Sequence, residues 1–209
     1  MKNNYDRYDI GSVRQRLSEM EGKPWLVKES IAFIEEVINK DSIILEFGAG
    51  ASTIWFAERA KRVYSFETNK AWRQVLHEEL VKGGFDNTIL YFGVNDYFKK
   101  APSNKGFESM LRGDNIDLAL IDHRSYSRSR VFEGTVKVIK ANGYLVFDNS
   151  NRKRYSQSIE FMDSLGWEKF EFWGNGYSPH GRSWKTTIWK KGTLVSLNVE
   201  AEKPHLNRE

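Results

Sequence analysis

"ILEFGAGAST", residues 44–53, runs from three apolar residues and one carboxylate into a patch of glycine, alanine, serine and threonine. Ile54, Trp55 and Phe56 follow at once. The smallest side chains therefore stand where a buried strand should give way to a helix. A glycine-rich turn at that point lets a ligand come close to the backbone. It also aims the free N–H groups of the helix start at that ligand.

Outward from this stretch, segments of opposite periodicity alternate. SIILEF (42–47), RVYSF (62–66), TILYF (88–92), IDLALI (116–121) and GYLVF (143–147) are short apolar runs rich in β-formers, the pattern of strands buried on both faces. Helix-like stretches lie between them: Thr53 to Ala60, Lys70 to Lys82, a weaker one from Phe107 to Arg112, and Arg128 to Lys140. Such alternation predicts βαβ units and a parallel sheet covered by helices. The rhythm then changes. A helix from about Gln157 to Leu165 precedes WEKFEFWG (167–174) and SWKTTIWKK (183–191), two alternating runs joined by a loop, so the sheet should close in an antiparallel hairpin. The expected fold is α/β: a Rossmann-like, doubly wound, mostly parallel seven-stranded sheet. SVRQRLSEM (12–20) and ESIAFIEEVIN (29–39) read as helices. That divides the chain into a helical segment over 1–40, a ligand-binding domain over 41–191, and a fraying tail over 192–209.

Composition narrows the function. The 209 residues, 40% of them hydrophobic, suit one domain with a sizeable core. No apolar run approaches the roughly 20 residues of a membrane span, and the start of the chain lacks the apolar core of a signal peptide. Cysteine is absent, which removes disulfides, thiolate–zinc sites and cysteine nucleophiles and fits a cytoplasmic protein. The isoelectric point is near 9.1, yet 32 basic residues face 28 acidic ones and the basic runs are short. A nucleic-acid partner would cluster more charge, so none is expected.

Gly48-Ala49-Gly50 fits a nucleotide-type cofactor, but a dinucleotide fingerprint needs a third glycine where Thr53 stands. The second strand ends at Glu67, about 20 residues on, where a carboxylate can accept both hydroxyls of an adenosine ribose. NAD and S-adenosylmethionine both carry that ribose. The acid beside the turn, Glu46, suits a cationic ligand better than a diphosphate.

These residues, together with the five-strand run closed by a hairpin, resemble the class I S-adenosylmethionine-dependent methyltransferases over roughly residues 20–191. Ser52 stands where that family's first motif usually has a third glycine. The resemblance implies that Glu46, Gly48 and Gly50 line the methionine end of the cofactor and Glu67 holds its ribose. Asn95 or Asp96, just after the third strand, would then meet the adenine.

Asp122 ends the fourth strand, and Asp148-Asn149 ends the fifth. Oxygen ligands converging there would suit a hard cation such as Mg²⁺. With Asp122-His123 and Asp148-Asn149 in these places, the chain resembles the catechol-type, metal-dependent O-methyltransferases. It departs from them in having Arg124 and Ser125 where those enzymes have a basic residue serving as general base. Without a metal, His123 or Asp122 is the natural base.

The loop of the hairpin should overhang the site with Trp173, Tyr177, His180, Arg182 and Trp184. Such aromatics and donors suit a sugar or small aromatic acceptor. The reading is therefore methyl transfer to a hydroxyl of a small molecule or glycan. An NAD-dependent oxidoreductase, or a non-catalytic module binding RNA through Arg152-Lys153-Arg154, are the alternatives.

Overall fold

The computed structural model describes residues 8–92, 109–123, 128–177 and 181–193. The chain opens with helices α1 (Ile10–Glu19) and α2 (Lys28–Val37). Asp9 caps α1 by accepting from the Ser12 N–H at 2.9 Å. The βα alternation then runs β1 (Ile43–Phe47), α3 (Ala51–Ala57), β2 (Arg62–Glu67), α4 (Lys70–Lys82), β3 (Thr88–Phe92) and β4 (Ile116–Ile121). It continues with α5 (Arg128–Val138), β5 (Ile139–Phe147), a 3-10 turn (Lys153–Tyr155), α6 (Ser156–Ser164), β6 (Glu168–Asn175) and β7 (Ser183–Lys190). Residues 107 and 108 of the weak helix expected over 107–112, and most of the tail, fall outside the described residues, while 109–110 are helical and run into a turn at 111–113.

One seven-stranded sheet results, in the order β3-β2-β1-β4-β5-β7-β6. The four pairings among β1 to β5 are parallel, and β7 is antiparallel to both β5 and β6. β6 therefore runs with the parallel strands, and its carboxyl end opens on the same edge as theirs. The order reverses between β1 and β4, and the crevice at such a reversal is where open α/β sheets bind ligands.

Two cores cover the sheet, as the period-2 alternation requires. Leu45, Phe47, Tyr64, Phe66, Ile121 and Phe147 face Val131 and Phe132 of α5 and Met162 of α6. Ile44, Val63, Leu118, Leu120, Val146 and Ile188 face Ile31 and Ile34 of α2 and Trp55 and Phe56 of α3. Glu46 shares the second face with Ile44. That parity fixes what its carboxylate meets.

Candidate functional site

The turn after β1 is built for close packing. Gly48 adopts φ +102°, and a Cβ there would lie 2.7 Å from the His123 nitrogen and 2.9 Å from the Asp122 carbonyl carbon. The close approach at this glycine is thus made by the protein itself: the peptide after β4 lies against the turn after β1. Hydrogen bonds from Gly48 N to Phe66 O at 2.9 Å and from Asp122 N to Phe47 O at 2.8 Å lock three strand ends together. Gly50 differs. Its backbone is extended, and the nearest atom to an added Cβ is Ser52 Oγ at 3.9 Å, so its missing side chain leaves room beside the turn.

Glu46 lies beneath this turn, not at its surface. It is fully buried, accepting from Ser52 Oγ on one oxygen and from Thr53 Oγ1 (2.6 Å) and Ser65 Oγ (2.5 Å) on the other. Thr53 Oγ1 in turn accepts from the Gly50 N–H at 3.0 Å. A carboxylate surrounded by three hydroxyl donors on the α3 face braces the turn from below, so the expected contact with the methionine end is corrected to support of the turn. The helix start is different as well. It begins at Ala51 and spans seven residues, with its cap N–H already taken by Thr53.

Glu67 ends β2 at 9% exposure, and its Oε1 accepts from the N–H groups of Thr68 (2.7 Å) and Asn69 (2.6 Å). Oε2 receives no hydrogen bond from a described residue, so half of a buried carboxylate can take donors from a ligand. Burial, with a smaller contribution from Glu46, pushes the Glu67 pKa up to about 7. Glu46 is likewise raised to about 7 by burial, against its hydroxyl donors and with a contribution from Asp122. Asp148 is raised by burial first and by Asp122 next. The repulsion runs pairwise along the strand ends, Glu67 with Glu46, Glu46 with Asp122, and Asp122 with Asp148.

Asp148 is buried, and its Oδ1 accepts from Trp184 Nε1 and Thr186 Oγ1, both at 2.7 Å. Asn149 carries φ 53°, the left-handed backbone that asparagine tolerates. Asp122, part-exposed, pairs through Oδ1 with Nη2 of Arg128 at 2.9 Å. That guanidinium also donates through Nη1 to the Asp148 carbonyl at 2.8 Å and through Nε to the His123 carbonyl. The set proposed for a divalent cation, Asp122, Asp148 and Asn149, therefore does not fit one. Asp148 is engaged by two protein donors, a cation of the protein's own lies against Asp122, and no cluster of three or more His, Asp or Glu side chains forms among the described residues.

His123 is 5% exposed, tilted against Phe47 with ring centroids 6.3 Å apart, and neither ring nitrogen has a partner among the described residues. Burial and then Arg128 push its pKa down to about 3. Burial thus lowers the basicity of the ring that the sequence suggests as one of two candidate bases, and Asp122 is the more exposed of the pair.

The comparisons with known proteins fall on this same crevice. Residues 45–150, from β1 to just past Asp148, match a protein-family model described as a methyltransferase domain. The chain belongs to this methyltransferase family. Among solved structures it is similar to the O-methyltransferase of tomaymycin synthesis from Streptomyces achromogenes, which holds S-adenosylmethionine. That match has 14% identity, TM-score 0.63 and 92% of each chain covered. An O-methyltransferase from Bacillus cereus with S-adenosylhomocysteine shares 15% identity at TM-score 0.60, covering 87% of this chain and 90% of its own. A Streptococcus thermophilus rRNA methylase shares 16% at 0.60, covering 79% and 95%. At such identities the structural likeness establishes the fold and leaves the acceptor open. No curated protein matches.

In this methyltransferase the described residues flanking the hairpin loop lie on the same sheet edge as the carboxyl ends of the parallel strands. Trp173 is 61% and Tyr177 39% exposed, Arg182 is exposed, and Trp184 reaches inward to Asp148. Lys28 Nζ stands 4.9 Å from the Tyr177 ring centroid, which brings the start of α2 to the same rim. Asn95, Asp96 and His180 lie outside the described residues. None of the described helices is long and apolar enough to cross a membrane.

Sequence reasoning missed Arg128, Ser65 and the approach of Leu26 and Val27. An added Cβ at Gly176 would lie 2.7 Å from the Leu26 carbonyl, and the Val27 N–H reaches Thr186 Oγ1 at 3.4 Å. Arg128 did carry a signal. A cation in the first turn of a helix opposes the macrodipole, so something other than helix stability places it there.

Proposed function

We propose that the protein transfers the methyl group of S-adenosylmethionine to a hydroxyl of a small molecule or sugar. The observation that carries the reading is the pair of strand-end carboxylates, Glu67 with Oε1 held by the Thr68 and Asn69 N–H groups and Asp122 held by Arg128, on the edge where Gly50 leaves the turn open. A dicarboxylate crevice of this kind favours a ligand bearing positive charge and hydroxyl donors. The bound cofactor supplies an electrophilic methyl on a cationic sulfur.

This chain's residues do the rest. Glu67 would accept ribose hydroxyls on Oε2, and Gly50 would leave room for the ligand backbone-side. Asp122, paired with Arg128, would orient the acceptor hydroxyl and take its proton as the oxygen bonds to the methyl and the sulfur–methyl bond breaks, leaving the neutral thioether. Trp173, Tyr177 and Arg182 would form the acceptor wall. A ligand hydrogen bond to either ring nitrogen of His123, unpartnered among the described residues, would recover part of the roughly 1–3 kcal/mol that an unsatisfied buried group costs.

The test has two arms. Calorimetry with S-adenosylhomocysteine should show binding, and its absence would remove the cofactor half. Tritiated methyl transfer should then label hydroxylated small molecules. Label entering RNA alone, or amines alone, would overturn the acceptor half.

A further inference from the structure

Three oxygens from the ends of β4 and β5 surround one buried position: the Asp122 carboxylate, the His123 carbonyl and the Asp148 carbonyl. Oxygens grouped in this way are what a hard divalent cation requires. Here the position belongs to the guanidinium of Arg128, whose side chain is 1% exposed. Its planar fork meets the three oxygens through three separate nitrogens, a spread that lysine's single ammonium nitrogen does not offer. The rings of Phe147 and Tyr155, with centroids 5.8 and 5.3 Å from its central carbon, wall it off.

We infer that Arg128 serves as a built-in substitute for a divalent cation, holding Asp122 in position so that the acceptor side of the crevice works without metal. A buried arginine in this place has a clear physical logic. Asp122 and Asp148 repel each other, and a positive charge tied to both strand ends lets them remain close. A guanidinium differs from Mg²⁺ in one respect that matters for the reaction. It has no open coordination position and cannot polarise a bound hydroxyl as a Lewis acid would. The acceptor must then be aligned by the carboxylate that Arg128 fixes, making Arg128 a positioning residue and Asp122 the group that touches the substrate.

The consequence for the reaction rests on the methyl-transfer reading, but the occupancy does not, and one set of samples separates them. Mn²⁺ is followed by electron paramagnetic resonance in the presence of the full chain and S-adenosylhomocysteine, with cofactor binding measured in parallel by calorimetry. Wild-type protein should leave Mn²⁺ free up to about millimolar concentration. Mn²⁺ binding by the wild type that disappears in Asp122→Asn would overturn the inference. Arg128→Met, similar in length and without charge, should uncover the oxygens. Folded variant, checked by circular dichroism, should then bind Mn²⁺ at least tenfold more tightly than wild type, and millimolar guanidinium should displace the ion. A merely structural arginine would give no such exchange between guanidinium and metal. A folded Arg128→Met that leaves Mn²⁺ free would therefore also overturn it. Should that variant fail to fold, wild-type Mn²⁺ binding that is lost in Asp122→Asn still overturns the inference, and Arg128→Gln serves for the gain of Mn²⁺ binding. Failure to bind S-adenosylhomocysteine would strike the functional reading and leave the Mn²⁺ result standing.

Discussion

Replacing Glu67 with glutamine keeps the shape of the side chain and removes its charge. In the folded protein the amide oxygen would take the Thr68 and Asn69 N–H groups that now meet Oε1. The NH₂ group then faces the ligand where a carboxylate oxygen stood. Hydrogen bonds to a charged group contribute about 1.5–3 kcal/mol, against about 0.5–1.5 for neutral pairs. The swap should cost about 1–3 kcal/mol of S-adenosylhomocysteine binding, or roughly 5- to 150-fold in Kd.

The pH dependence gives a second handle on the same carboxylate. Free Glu67 has a pKa of about 7, and hydroxyl donors from a ribose favour its ionised form, so binding should release a proton below that pH. Wild-type affinity should then be roughly tenfold weaker at pH 6 than at pH 8. Glu67→Gln has no proton to lose there, and its affinity should vary less over that range. Isothermal titration at pH 6, 7 and 8 measures both effects. Unchanged affinity in the variant, or an undiminished slope with pH, would refute the placement of the cofactor ribose at Glu67.

Other outcomes follow from the same geometry. Gly48→Ala forces a side chain onto a φ of +102° and into the His123 backbone, so urea unfolding should show a loss of about 2–4 kcal/mol. Gly50→Ala, in extended backbone with open space around it, should fold normally and weaken cofactor binding. Stability of the free protein should fall as pH rises. Glu46 and Glu67 both move from the usual 4.5 to about 7, so the folded state binds more protons than the unfolded one between those limits. Each group costs on the order of 3 kcal/mol once ionised. The melting temperature should be higher near pH 5.5 than at pH 8, and a maximum at pH 8 would contradict the burial of these acids. Arg182→Ala should depress acceptor turnover with cofactor affinity intact, since the residue is exposed on the hairpin side. The reverse pattern would relocate the loop.

The sheet was legible because its strands obey a simple rule: runs buried on both faces are continuous, while the half-buried β6 alternates. Glu67 was legible for a related reason, being the first acid after a buried strand. Glu46 was half legible. The glycines around it announce a ligand, but the parity of β1 puts residue 46 on the face of Ile44, toward α3 and away from the turn's open side. Ser52 and Thr53 then explain themselves as donors to a buried carboxylate and not as degenerate glycines.

The metal was the instructive miss. Two aspartates and an asparagine at neighbouring strand ends are compatible with a cation, and the sequence says nothing about which cation. The answer depended on a residue a few positions along, whose side chain folds back from the start of α5 to strand ends contributed by both β4 and β5. Local periodicity places Arg128 on a helix but cannot report a contact spanning 20 residues to Asp148. Charge accounting can. A helix that begins with an arginine against its own dipole, beside two acids that must be neutralised, has somewhere for that arginine to go. Where a strand-end acid pair lacks its third metal ligand, the nearest unexplained arginine is the first candidate for the missing charge.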